Sequence, residues 1–130
     1  ELVGRYKMER PGLPAIALTT DTSILTAVGN DYGYDEIFAR QIEAHSTAGY
    51  MVIGITTSVN SKNILRGFEE AKKRGAFTVA LTGKDGGQAA RVADISIVVP
   101  SEMTSWIQES HIAIIHILCE LLEKKLYEQH

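Results

Sequence analysis

Apolar residues in this chain come in short runs that alternate with stretches of helical spacing. Residues 14–19 (Pro-Ala-Ile-Ala-Leu-Thr), 51–55, 76–81 and 95–99 each read as a strand, bounded by turn residues such as Pro11-Gly12, Ala48-Gly49 and Pro100. Between them, Asp21 or Thr22 caps a short helix to Leu25, and residues 29–34 (Gly-Asn-Asp-Tyr-Gly-Tyr) read as a loop. A helix then begins at Asp35 and runs to about Ala44, with Ile37, Phe38, Gln41 and Ile42 along one side. The helix over 63–73 ends at Arg74-Gly75, a basic last turn followed by a C′ glycine. Gln88 to Val92 forms a short helix, and a long one runs from about Ser105 to Gln129. Strands separated by helices predict parallel pairing through right-handed crossovers. Nearly continuous apolar strands predict cover on both faces. The expected fold class is α/β, a three-layer doubly wound parallel sheet.

The most informative stretch is Met51 to Ser61, MVIGITTSVNS. An apolar strand breaks into the hydroxyl residues Thr56, Thr57, Ser58 and Ser61, and Ser61 stands where a helix N-cap belongs. Open α/β sheets bind ligands at this point, between the carboxyl end of a strand and the start of a helix. Free N–H groups and the helix dipole favour an anion there. Hydroxyls add donors without charge, which suits a phosphate monoester. The same pattern fits a plain polar turn with an N-cap, and spacing alone does not separate the two.

Composition narrows the remaining classes. A length of 130 residues fits one domain with its own core, and a net charge of −3 gives no general basic signal for nucleic acid or an acidic membrane. No apolar run approaches the roughly 20 residues of a membrane span, and no signal peptide is seen. The single Cys119 lies in an apolar helical pattern and reads as core packing. A reducing cytoplasm is the default compartment.

Several blocks, in order, carry a family resemblance: ELVGRY, RPGLPAIALTTD, VGNDYGYDEIFARQ, GITTSVNS, ALTGKDGG and IQESHIAIIHILCELLE. Together they resemble the phosphoheptose isomerases of the sugar isomerase (SIS) superfamily over essentially the whole of residues 1–130. The resemblance implies a cytoplasmic homotetramer that interconverts sedoheptulose 7-phosphate and D-glycero-D-manno-heptose 7-phosphate. That reaction is a step toward bacterial heptose-containing glycans such as lipopolysaccharide. It also implies a five-strand sheet. The chain starts at Glu1 rather than Met, so N-terminal helices, a first strand and a Gly/Ser-rich loop are expected to precede it.

Carried over residue by residue, the resemblance makes Thr56, Ser58 and Ser61 phosphate-binding hydroxyls and Asp31 a substrate-site carboxylate. Asp31 fits an Asx turn equally well. Glu1 and His116 become the acid/base pair, and Glu1, Gln108 and His116 the ligands of a divalent metal, zinc by family analogy. An aldose–ketose isomerisation needs a base near the carbons and an acid near the oxygens, roles that a carboxylate and an imidazole can fill. Gln108 and His116 lie eight residues apart on one helix. Their directions therefore differ by roughly 80° and their positions by about 12 Å along the axis. His111 is expected to point elsewhere. Three positions depart from the family pattern: Thr56 replaces the usual Ser, Val59 the usual Gly, and Trp106 the Arg common before IQE. The other class of protein in view is a non-catalytic SIS protein that binds a sugar phosphate or a replication initiator.

Overall fold

The computed structural model describes residues 1–128. Helix α1 (Thr22–Tyr32), a 3₁₀ turn (Tyr34–Glu36) and α2 (Ile37–His45) precede an alternation of β1 (Met51–Ile55), α3 (Lys62–Lys73), β2 (Phe77–Gly83), α4 (Gly87–Val92), β3 (Ile95–Val99) and α5 (Thr104–Tyr127). The three strands form one parallel sheet in the order β1-β2-β3, with Ile53 opposite Val79 and Leu81 opposite Ile97. The expected α/β class with parallel pairing is what the chain builds.

Helices cover both faces, which makes three layers. On one face Phe68 of α3 and Ala89 of α4 close on Ala80 of β2, with Val52, Ile64 and Leu65 around them. Phe68 is 1% exposed and anchors this layer. On the other face Ile107 of α5 sits so close to Gly83 that an added Cβ would lie 2.4 Å from its Cδ1. Glycine at the end of β2 is therefore what lets α5 seat itself at the carboxyl edge of the sheet. Farther along this second face Met51, Ile53 and Ile55 remain about half exposed among the described residues. The expectation of strands covered on both faces thus holds for β2 and not for β1.

Two elements differ from the expectation. Residues 14–19 pair with no strand among the described residues: 14–17 have no regular structure and Leu18-Thr19 form a turn, so they are not a fourth strand. Apolar composition allows a strand, but only a ladder partner makes one. The predicted loop at 29–34 is mostly helix. Asp21 caps α1 by accepting from the Ile24 N–H (3.0 Å), and the helix continues through Gly29, Asn30 and Asp31 to stop at Gly33, φ +93°. The turn residues Gly29 and Asn30 were outweighed by a well-capped start. The predicted end of α5 at Gln129 lies outside the described residues.

Residues 1–13 lack regular structure but are firmly held. Arg10 and Glu123 of α5 form an ion pair at 2.9 Å, their side chains 1% and 2% exposed. Cys119 is buried, as its apolar context predicts.

Candidate functional site

The hydroxyl loop follows β1 and is tied to itself. Thr56 donates its hydroxyl hydrogen to the Ser58 carbonyl (3.0 Å) and accepts from the Ser58 N–H (3.1 Å). The Thr56 and Ser61 hydroxyls lie 2.7 Å apart. Ser61 occupies the N-cap position of α3, but its side chain makes no capping bond; it turns to Thr56 instead. The loop thus gives up one cap to close a ring of hydroxyls. The Ile64 N–H is taken by Asn63 Oδ1 (2.8 Å) and the Ser61 carbonyl (3.1 Å), which leaves the Lys62 and Asn63 N–H groups at the start of α3. They and the hydroxyls of Thr57 and Ser58 are the donors available to an anion.

A second loop braces the first. Gly87 begins α4 with φ +55°, and a Cβ there would lie 2.3 Å from the Val59 carbonyl oxygen and 2.5 Å from its Cβ. The Val59 carbonyl accepts from the Gln88 N–H at 3.3 Å. Val59, where the family has Gly, is not strained: among the described residues Lys84 is the one non-glycine with positive φ. Gly87 carries the positive φ here, and the β-branched side chain of Val59 packs over it.

Facing the hydroxyl loop is α5. Thr56, Thr57, Ser58 and Ser61 line one side of an open cleft of about 470 Å³, and Gln108, His111, Ile112 and Ile115 line the other. Gln108 is thus on the cleft side of α5. His111 is a correction. It does not point away but is buried, with Nε2 2.9 Å from the Thr82 carbonyl oxygen. Its position three residues after Gln108, on the same helical face, was the available signal. His111 fastens α5 to the carboxyl end of β2 and so fixes the width of the cleft.

His116 follows the cleft-lining residues Gln108, His111, Ile112 and Ile115 along α5. The Tyr6 ring stacks on His116, centroids 5.6 Å apart. Cys119 continues the cleft-facing stripe one turn beyond Ile115. Burial pushes the Cys119 thiol up. The Glu1 carbonyl accepts from Arg10, which pairs with Glu123 of α5, so the Glu1 backbone lies near this part of the helix. Asp31 sits on the last turn of α1, exposed, with its carboxylate accepting from the Asn30 amide (3.0 Å). It does not line the cleft. The metal that the resemblance implies would draw on Glu1, Gln108 and His116. Gln108 lines the cleft, and His116, about two turns farther along α5, stacks on Tyr6. A carboxylate, an amide oxygen and an imidazole are donor types that a divalent metal accepts.

A parallel sheet with a hydroxyl-rich loop at its carboxyl edge, faced by one long helix, defines an open α/β domain with a hydroxyl-lined cleft. The family model described as SIS domain matches residues 1–83. The phosphoheptose isomerase of Sulfurimonas denitrificans is 59% identical over 127 residues, covering 98% of this chain and 65% of that protein. The phosphoheptose isomerase of Aquifex aeolicus is 57% identical over 129 residues, covering 99% and 68%. The chain belongs to the SIS domain family and, within it, to the phosphoheptose isomerases. A solved phosphoheptose isomerase from Francisella tularensis superposes with a TM-score of 0.91 at 43% identity, over 95% of this chain and 66% of that one. The chain thus spans about two thirds of the length of these relatives. Among the described residues no helix is long and apolar enough to cross a membrane.

Proposed function

We propose that the complete protein isomerises a heptose phosphate, interconverting sedoheptulose 7-phosphate and D-glycero-D-manno-heptose 7-phosphate. The observation that carries this reading is the order along α5: the hydroxyl loop faces Gln108 and Ile112, His116 follows, and Glu123 farther on holds Arg10 and through it the Glu1 backbone. A substrate with its phosphate on C7 and its chemistry at C1 and C2 needs that separation. The cradle takes the phosphate. Glu1 removes a proton from C1 of the ketose, giving an enediol, and returns it at C2. His116 moves the proton between O1 and O2. The names of the relatives support the same substrate class.

The binding half of this reading has a direct test. Replacing Ser58 and Ser61 together by Ala should weaken inorganic phosphate or substrate binding by about 1–3 kcal/mol, the scale of hydrogen bonds lost to a charged group. Calorimetry showing the affinity of the double variant unchanged rejects the cradle. Turnover of sedoheptulose 7-phosphate by the complete wild-type protein tests the activity. Binding without turnover favours instead a non-catalytic sugar-phosphate binder, a reading that the stacking of His116 outside the cleft supports.

A homotetramer is part of the proposal. Ile112, Ile117, Leu118, Leu121, Leu122 and Leu126 are exposed on more than one side of α5 among the described residues, so the helix is not buried within one copy of the chain. A surface helix needs a single apolar stripe, and the surplus suits a second copy. Light scattering that finds the complete protein monomeric at micromolar concentration removes the assembly from the proposal.

A further inference from the structure

Residues 1–13 carry no helix or strand, yet Glu1 belongs to them. What holds them is one buried pair. Glu123 of α5 accepts from the Tyr6 N–H (2.9 Å), the Lys7 N–H (2.9 Å), the Met8 N–H (3.0 Å) and Arg10 Nε (2.9 Å). The Arg10 guanidinium then turns back on the segment. It donates through Nη2 to the Glu1 carbonyl (2.8 Å) and through Nη1 to the carbonyls of Leu2 (2.9 Å) and Pro11 (3.0 Å). The Leu13 N–H closes the loop on the Leu2 carbonyl at 2.9 Å.

We propose that the buried Arg10–Glu123 pair positions both acid/base groups at once, and so governs the rate of proton transfer without touching the substrate. The pair reaches each group by a separate route. Arg10 fixes the backbone of Glu1 directly. Glu123 fixes the backbone of Tyr6, whose ring stacks on His116. Buried ion pairs contribute little net stability, and geometric specificity is their better-attested use. The planar guanidinium fork suits that use, because one residue holds several carbonyls in fixed directions. Burial pushes the Glu123 carboxyl up, but the N–H groups of Lys7, Met8 and Tyr6 and the Arg10 side chain outweigh it and hold it at about 2. Glu123 therefore stays ionised, and the anchor stays set, across the range in which Glu1 and His116 would work.

This proposal rests on the reading of Glu1 and His116 as the acid/base pair, and the experiment keeps the two apart. In the complete protein, Arg10→Lys keeps a charge beside Glu123 but loses the fork to the Glu1 and Leu2 carbonyls. Its kcat for sedoheptulose 7-phosphate should fall by about tenfold to a hundredfold, the usual scale for a misplaced catalytic group. KM and inorganic phosphate affinity should stay unchanged, because the hydroxyl loop is untouched. Combined with Glu1→Gln, it should add no further loss. Glu123→Gln should also lower kcat with KM unchanged and, because it acts through Tyr6 on His116, should add to the loss of Glu1→Gln; should it fail to fold, Arg10→Lys decides. A folded Arg10→Lys protein with wild-type kcat overturns the proposal, and so does a loss of phosphate affinity equal to the loss of kcat, which marks a merely structural role. Wild-type turnover in Glu1→Gln instead overturns the underlying acid/base reading, whatever the Arg10 variant does.

Discussion

Glu1→Gln in the complete protein is expected to lower kcat by about 10²-fold or more, the usual contribution of a positioned acid or base. The amide keeps the shape and hydrogen bonding of the carboxylate and loses only the capacity to take a proton. His116→Gln should fall by a similar factor, since the oxygen protons then have no carrier. Phosphate affinity should survive in both, because the cradle lies at the other end of the cleft. A binding measurement beside a turnover assay separates the outcomes. Near wild-type turnover in either variant removes that residue from the mechanism. Loss of phosphate binding in either would mean that cradle and acid/base groups are not the separate units described.

The second large effect concerns the layer under the hydroxyl loop. Phe68 is 1% exposed and joins α3, β2 and α4 through Ala80 and Ala89. Phe68→Ala should cost about 3–5 kcal/mol, the transfer of the ring plus the cavity left behind. That is a large share of the 5–15 kcal/mol by which a domain is typically stable. Urea unfolding at fixed protein concentration should show a lower midpoint with an unchanged slope. A loss below about 1 kcal/mol would show that neighbouring side chains collapse into the space, contrary to the close packing of protein interiors.

Much of this architecture was legible because it is periodic. The strands at 51–55 and 95–99 and the helices α3 and α4 fall within a residue or two of expectation, since alternation and capping are local signals. What escaped depended on partners distant in sequence. Residues 14–19 have the composition of a strand but no ladder. Ser61 has the chemistry of a cap, yet its hydroxyl went to Thr56. His111 looked like a bystander because the Thr82 carbonyl it meets lies 29 residues away. The long-range role of Glu123 is equally invisible: in a stretch of Glu and Lys at the end of a helix, nothing marks the one carboxylate that turns inward. The strand, hydroxyl loop and helix were legible from the residues alone, whereas Glu1, Gln108 and His116 came only with the family resemblance.

The packing of Val59 over Gly87 bears on how this domain can be re-engineered. The two loops share one small volume, so neither is an independent module. Transplanting the hydroxyl segment of a relative, with its own residue at position 59, would leave a void or a collision above the start of α4 unless the Gly86-Gly87 turn travelled with it. Residues 56–61 and 83–88, far apart on the chain, are in that sense a single exchangeable cassette.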